Sequence, residues 1–253
     1  MERLKGENMN VQECNTVSEL MVHWENKPEL STSYMVKNVK YDITINHKKD
    51  FFISDGIVDV DIWNSLPKGK RVLIILKEAY EDDKKKQKWA LNDELRENGP
   101  WGAIWQRVSE WSYGVFHSTV DSIVGYKNLD KKQANDFLRK IAVLNIKKSG
   151  GKHSSVYEEI STYAEVDAEE IIREIELIDP DVVICGATFG DINSISGHSV
   201  KKGSNENWFY YSNAIGGKER LFIDYFHPAN RYPALLNYYG IVGIYQQALK
   251  YKK

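Results

Sequence analysis

The sequence has little of several features on which common classes of protein depend. Only two cysteines, Cys14 and Cys185, occur among 253 residues, too few for a disulfide framework, a four-cysteine zinc site or an iron–sulfur cluster. The six histidines show no HExxH or His-x-His spacing, so we expect neither a metal nor another cofactor. No apolar run approaches the roughly 18 residues that span a membrane, and the first residues lack the apolar core of a signal peptide. We therefore expect a cytoplasmic protein that makes no membrane contact.

Apolar and aromatic residues, in contrast, are plentiful. Hydrophobic residues make up 42% of the chain and aromatic residues 12%, which is more than a disordered chain carries. The length suits one large domain. We expect a monomer in which residues 1–253 form a single α/β domain, with residues 1–54 as an N-terminal elaboration whose role the sequence does not indicate.

The net charge of −2 hides a segregation of charge along the chain. Residues 154–180 contain nine acidic residues and one basic residue, whereas residues 71–153 contain 16 basic and 11 acidic ones, and residues 181–253 eight basic and five acidic ones. The acidic stretch is predicted to be a solvated helix on the outside of the protein. The two basic stretches are then free to share another face, and a polyanion responds to that local charge and not to the total.

Four short apolar runs are typical of parallel strands that are buried on both faces. They are Arg71–Leu76, Ile141–Asn145, Asp181–Cys185 and Leu221–Tyr225. Helical patterns separate and follow them, at Lys84–Glu97, Gly102–Trp111, Val156–Ile178 and Pro233–Tyr251, and Val17–Trp24 and Tyr41–Ile45 are a candidate helix and strand nearer the N-terminus. Alternation of this kind predicts a three-layer α/β/α sandwich around a central, mainly parallel, four-stranded sheet.

Polar residues that could take part in catalysis or binding follow three of these strands. Glu78 comes after the first strand, Asn145 ends the second, and His227 follows the fourth. Because ligands bind at the carboxyl ends of parallel strands, the three side chains are expected at one rim of the sheet. Each has a plainer explanation, since Glu is common at helix starts, Asn in turns and His-Pro in structural loops. Their coincidence at one rim favours a functional site.

These residues and their neighbours resemble motifs of the uracil-DNA glycosylase superfamily. Leu76–Glu81 aligns with the family's first motif, Gly-Gln-Asp-Pro-Tyr-His, and Val143–Asn145 aligns with a leucine-rich strand that ends in a base-reading Asn. His227–Arg231 aligns with the last motif, His-Pro-Ser-Pro-Leu, and Asp179–Gly186 resembles the family's third strand with the helix stop before it. The resemblance covers about residues 55–250.

The resemblance implies a role for each of these residues in excising a base from DNA. Cleavage of an N-glycosidic bond builds positive charge on the sugar and negative charge on the departing base. His227 would donate a hydrogen bond to a base carbonyl, Glu78 would activate water and stabilise the sugar cation, and Asn145 would read the flipped base. The pocket would have Tyr80 as a wall, Lys77 at its entrance, and Trp89 or Trp101 stacked on the base.

Contacts to DNA outside the pocket are implied as well. Arg231 stands where the family places a side chain that fills the gap left by the flipped nucleotide. The stretch from Lys147 to Ser154 is predicted to be a loop that binds phosphates through charge and backbone N–H groups. Its proposed DNA-binding residues are Lys147, Lys148, Gly150, Gly151, Lys152 and Ser154. The Gly-Gly-Lys sequence within it does not fit the GxxxxGK[ST] pattern of a nucleotide-binding loop.

Departures from the family pattern point to a different target base. Glu78 replaces an Asp, Ala79 a Pro, Lys77 a Gln and Ala229 a Ser, and a longer acid among smaller neighbours suits a larger base. We expect a monofunctional DNA glycosylase that leaves an abasic site, acting in repair or in defence against base-modified phage DNA. Two alternatives stay open: a protein that binds a modified base in DNA without cutting it, and an α/β hydrolase or transferase for a small nucleotide or nucleoside.

Overall fold

The computed structural model describes residues 10–80, 87–151, 154–201 and 208–252. In chain order the strands of this part are β1 (Leu30–Val36), β2 (Val39–Ile45), β3 (Ile53–Ser54), β4 (Gly56–Ile57), β5 (Val72–Tyr80), β6 (Trp89–Ala90), β7 (Ile141–Gly151), β8 (Val182–Gly186), β9 (Phe209–Ser212) and β10 (Arg220–Tyr225). The helices are α1 (Val17–Glu25), α2 (Val60–Ser65), α3 (Leu91–Asn98), α4 (Gly102–His117), α5 (Lys131–Leu138), α6 (Tyr157–Val166), α7 (Ala168–Ile178), α8 (Phe189–Ile195) and α9 (Ala234–Tyr251). A 3-10 turn covers Val11–Glu13. None of the described helices combines the length and apolar character needed to cross a membrane.

The central sheet has six strands in the order β4-β7-β5-β8-β10-β9. The strands β7, β5, β8 and β10 run parallel to one another, and they contain the four apolar runs of the sequence. The strands β4 and β9 pair antiparallel at the two edges, so the expected four-stranded sheet is wrong in strand number and the sheet is mixed. An edge strand of two or four residues is too short to show the apolar periodicity by which a strand is predicted.

Helices cover both faces of this sheet. Along β5, Ile74 packs in one apolar cluster with Trp111 of α4 and Tyr238 of α9. The neighbouring Leu73 packs in a second cluster with Tyr163 of α6 and other residues of α1, α7 and α8. Because successive side chains of a strand point to opposite faces, burial on both faces explains why the runs are apolar throughout.

Two of the parallel strands are longer than their apolar runs. The strand β5 continues to Tyr80 and β7 continues to Gly151, so most of the predicted phosphate-binding loop is strand. The predicted helix over Val156–Ile178 is two helices, α6 and α7, which meet at Asp167. The predicted helix from Lys84 begins at Leu91 in the described residues, and residues 81–86 lie outside them.

The acidic stretch 154–180 is not the solvated face that its composition predicts. Asp167, Glu170 and Glu174 are buried. Lys27, which lies after α1, contacts Asp167 at 2.9 Å and Glu170 at 2.8 Å, and His47 contacts Asp167 at 3.1 Å. The acidic side of α7 therefore holds residues of the N-terminal region, because a buried carboxylate needs a cationic or hydrogen-bonding partner.

Candidate active site

A cavity of about 880 Å³ opens at the carboxyl ends of β5 and β7, beneath the start of α4. Residues of the loop after β10 complete it. The predicted site residues that line this cavity are Glu78, Asn145, His227, Trp89, Trp101, Ser154 and Arg231. Glu78 near the end of β5, Asn145 within β7 and His227 after β10 thus meet around one space. Ligands are expected at this side of a parallel sheet.

Glu78 is held in place from two sides. Its Oε2 atom lies 3.1 Å from the Nζ atom of Lys147, and its Oε1 atom accepts a hydrogen bond of 2.6 Å from the Ser155 hydroxyl. Burial alone would lower the pKa of Lys147, but the carboxylates of Glu78 and Glu159 outweigh it and raise that pKa above its usual value. The carboxylate therefore faces a protonated lysine and keeps lone pairs free for a further donor, such as a water molecule.

Gly151 leaves the space that Glu78 occupies. A Cβ atom at this position would lie 2.3 Å from the Cδ atom of Glu78 and 2.4 Å from its Cγ atom, and real Cβ atoms do not approach other atoms so closely. The glycine therefore permits the close approach of the carboxylate to β7.

Asn145 lines the cavity and has an unused hydrogen-bond donor. Its Nδ2 group is buried and has no hydrogen-bond partner among the described residues. The backbone N–H of Asn145 donates a 2.6 Å hydrogen bond to Asp55 Oδ2, which fixes the part of β7 from which the side chain projects. An orphaned buried donor costs free energy, and a ligand with a carbonyl or ring nitrogen would satisfy it.

His227 is a neutral hydrogen-bond donor in this structure. Burial, with a smaller effect of the Lys77 charge, lowers the pKa of His227 from 6.5 to about 4. Its Nδ1 atom accepts a hydrogen bond of 3.1 Å from the backbone N–H of Ala229. A neutral imidazole carries one proton, so that proton is on Nε2, and this atom can donate to an acceptor in the cavity.

The loop that carries His227 is fixed by residues that the sequence analysis missed. Arg107 of α4 donates to the carbonyl oxygens of Pro228 at 2.6 Å and Tyr232 at 3.1 Å, and also to that of Asn230. The amides of Asn230 and Asn237 bond to each other at 2.7 and 2.8 Å, and Asn230 Nδ2 also donates to the His227 carbonyl at 2.8 Å. The only signal in the sequence was an arginine in an otherwise amphipathic helix, which does not reveal three carbonyl partners more than 120 residues away.

Tryptophans form part of the cavity wall. Trp89 of β6 and Trp101, which precedes α4, both line it, and Trp105 lies beside Trp101 with ring centroids 5.8 Å apart. Gly102 has a φ of +67° and open space where a Cβ would be. The chain can therefore turn sharply between Trp101 and the helix without a side chain entering the cavity.

The prediction that Lys147 and Lys148 bind phosphates is wrong. Lys148 is 0% exposed and forms ion pairs with Asp55 and, at 2.7 Å, with Glu174. Lys147 is buried against Glu78 and Glu159. Because the strand continues past Asn145, both ammonium groups lie against carboxylates of the fold, and neither is available to a phosphate.

The other predicted residues fall in different places. Gly150 and Gly151 belong to β7 and not to a loop, so the proposed backbone cradle for phosphates is wrong. Ser154 is exposed at the cavity, and Lys152 lies outside the described residues. Lys77 is part of β5, and its positive charge contributes to the lowered pKa of His227. Tyr80 ends β5, and the structure describes its backbone only.

Comparison with known proteins adds no relative to this description: no protein-family model matches the sequence, and no curated protein matches it significantly. Among the described residues, no group of three or more His, Cys, Asp or Glu side chains is arranged to hold a metal ion. The geometry of the cavity is therefore the basis for a functional proposal.

Proposed function

We propose that the protein is a monofunctional DNA glycosylase, which hydrolyses the bond between a flipped, modified base and its deoxyribose and leaves an abasic site. The observation that carries this proposal is the convergence of Glu78, Asn145 and His227 on one cavity. It agrees with the resemblance of the same residues to motifs of the uracil-DNA glycosylase superfamily.

His227 is suited to stabilise the departing base. Negative charge develops on a base carbonyl oxygen as the glycosidic bond breaks, and a fixed donor aimed at that oxygen lowers the barrier. The neutral imidazole with its proton on Nε2 is such a donor, because the bond from the Ala229 N–H to Nδ1 sets the ring and its tautomer. Arg107 holds the loop and thereby the position of the ring.

Glu78 is suited to the sugar side of the reaction. A carboxylate stabilises the cation-like sugar and can orient the water that attacks it. The contacts to Lys147 and Ser155 hold one position of this carboxylate, and a fixed position is what such a role requires.

Asn145 and the cavity volume support a target larger than an unmodified pyrimidine. A cavity of about 880 Å³ lies toward the upper end of the roughly 300–1,000 Å³ that hold drug-sized ligands. The small side chains of Ala79 and Ala229 line it, and the free Asn145 amide supplies a polar contact for the base edge. We infer a bulky modified base of the kind found in phage DNA, which favours a role in defence over one in repair.

Excision from a panel of oligonucleotides tests this proposal. Single- and double-stranded DNA bearing uracil, 5-hydroxymethylcytosine or glucosylated pyrimidines is incubated with the protein and then treated with alkali and heat. The expected result is strand scission at one class of modified base, which is lost in Glu78→Gln. Tight binding to modified DNA without scission would identify a non-catalytic reader. Release of base from free nucleosides alone would identify a small-molecule hydrolase.

A further inference from the structure

Three exposed aromatic rings lie in a row beside the cavity. Trp208, just before β9, is 42% exposed, Phe226 is 37% exposed and Tyr232 is 51% exposed. The ring centroids of Trp208 and Phe226 are 5.3 Å apart, and those of Phe226 and Tyr232 are also 5.3 Å apart. We call these three side chains the aromatic strip.

The rings of the aromatic strip touch without covering one another. The planes of Trp208 and Phe226 are inclined by 53°, and those of Phe226 and Tyr232 by 61°. A tilted contact leaves much of each ring face uncovered, in contrast to parallel stacking. Large apolar groups that meet at the surface and stay exposed are typical of a binding surface.

The aromatic strip is continuous with the cavity. Phe226 immediately precedes His227, and Tyr232 immediately follows Arg231. His227 and Arg231 line the cavity, so two rings of the strip flank cavity-lining residues of this loop, and Trp208 contacts Phe226, the first of these rings. A DNA strand with one base in the cavity has its neighbouring nucleotides next to this loop.

We propose that the aromatic strip stacks on unpaired bases next to the extruded nucleotide, so that the protein prefers single-stranded over duplex DNA. This inference rests on the proposed function. Stacking on an aromatic side chain requires a free base face, and in a duplex those faces are covered by the neighbouring base pairs. The exposed Arg231 adds a cation beside Tyr232 for the backbone of the same strand.

The shape of the aromatic strip argues against insertion into a duplex. Proteins that kink duplex DNA insert a single apolar side chain between two base steps. Three rings, of which Phe226 contacts the other two, form a surface that is too broad for such a gap. They match a strand whose bases are already unstacked.

Binding measurements with ring-removing and ring-retaining variants test this inference. The probes are a fluorescein-labelled oligodeoxythymidine and a duplex of the same length. Trp208→Ala and Tyr232→Ala should each raise the Kd for the single strand by at least about fivefold, with a much smaller change for the duplex. Trp208→Phe and Tyr232→Phe keep a ring and should retain most of the affinity. Tyr251→Ala, which alters a ring that is 72% exposed at the far end of α9, is the control and should leave both Kd values unchanged.

The outcomes separate this inference from the proposed function. Equal losses for single strand and duplex, or a single-strand Kd unaffected by the alanine variants, would overturn the aromatic strip as a single-strand site even if excision occurs. A selective loss of single-strand binding in a protein that excises no base would support the strip and contradict the glycosylase. Circular dichroism of each variant shows whether the fold is retained.

Discussion

Two consecutive lysines of β7 form ion pairs of the same kind that differ in how much solvent reaches them. Each lysine has two carboxylate partners. Those of Lys147 are Glu78 and Glu159, and those of Lys148 are Asp55 and Glu174. Lys148 and both of its partners have no exposed side-chain surface, whereas the Glu159 side chain retains 20% exposure. We call these the Lys148 cluster and the Lys147 cluster.

The difference shows how one strand can serve stability and function at once. The Lys148 cluster packs beneath Trp24 of α1, with the ammonium 4.6 Å from the ring centroid. The Lys147 cluster lies between two cavities, because Glu78 lines the large one and Lys147 lines a smaller one of about 320 Å³. Both lysines reach the layer of α6 and α7, where Lys147 contacts Tyr163 and Lys148 contacts Glu174. The Lys147 cluster includes Glu78, which lines the large cavity, so identical residues acquire a structural role in one cluster and a positioning role in the other.

Replacing Lys148 should have the largest effect on stability. In Lys148→Met the buried carboxylates of Asp55 and Glu174 lose their cation, and breaking a buried pair in this way costs about 3–5 kcal/mol of unfolding free energy. Lys147→Met is the matched control. It should cost no more than about 1–2 kcal/mol, since Glu159 keeps 20% of its side chain exposed and Glu78 borders the cavity, where water can replace the ammonium. Urea unfolding measures both, and equal losses would show that the two clusters do not differ.

Replacing the groups that face the cavity should act on catalysis instead. We expect Glu78→Gln and His227→Ala each to lower the rate of base excision by on the order of 10²-fold or more, because both groups act on charge that develops in the transition state. The unfolding free energy should change far less than in Lys148→Met. A single-turnover assay with saturating enzyme gives the rates. A variant that excises the base at the wild-type rate would show that the replaced residue takes no part in the mechanism.

Gly151→Ala offers a way to move Glu78 without changing it. The new Cβ would overlap the Glu78 side chain, and displacement by about 1 Å can cost roughly 10²-fold in rate. Glu78 is held by Lys147 and Ser155 and is nearly buried, so the melting temperature should fall as well, but the rate should fall by more than the loss of folded protein explains. Excision rate and thermal unfolding measured together decide the matter, and a fully active alanine variant would contradict the required position of Glu78.

Asn145→Asp should alter selectivity more than overall rate. The variant replaces the unpartnered Nδ2 donor with an acceptor, so bases that present an acceptor to it lose their partner. The order of substrates in the oligonucleotide panel should therefore change. A uniform fall across the panel would mean that the Asn145 side chain supports the shape of the cavity and does not read the base.

The acid side of the pH–rate profile should show the smallest effect. Because the pKa of His227 is lowered to about 4, the imidazole stays neutral at pH 5. Protonation would place a hydrogen on Nδ1, which accepts the Ala229 N–H, so the active form is the neutral one. We expect no loss of rate from His227 between pH 7 and pH 5. A loss with a midpoint near 6.5 that disappears in His227→Gln would contradict this.

Sequence reasoning finds those site residues that lie at or just beyond the end of an apolar run. Glu78, Asn145 and His227 follow apolar runs, and the geometry of a parallel sheet brings such positions together. The polar tail of β7 could not be predicted in the same way. Lys147 and Lys148 resemble solvated loop residues, and nothing local marks Asp55, 93 residues from Lys148, as a partner.

Product analysis by mass spectrometry tests the central proposal most directly. An oligonucleotide that carries the preferred modified base is incubated with the wild-type protein and with Glu78→Gln, without alkali or heat. We expect a free base and an intact strand of the same length with one abasic deoxyribose in the wild-type reaction, and unchanged substrate with the variant. A released nucleotide, a cleaved phosphodiester bond or equal product from both proteins would contradict it.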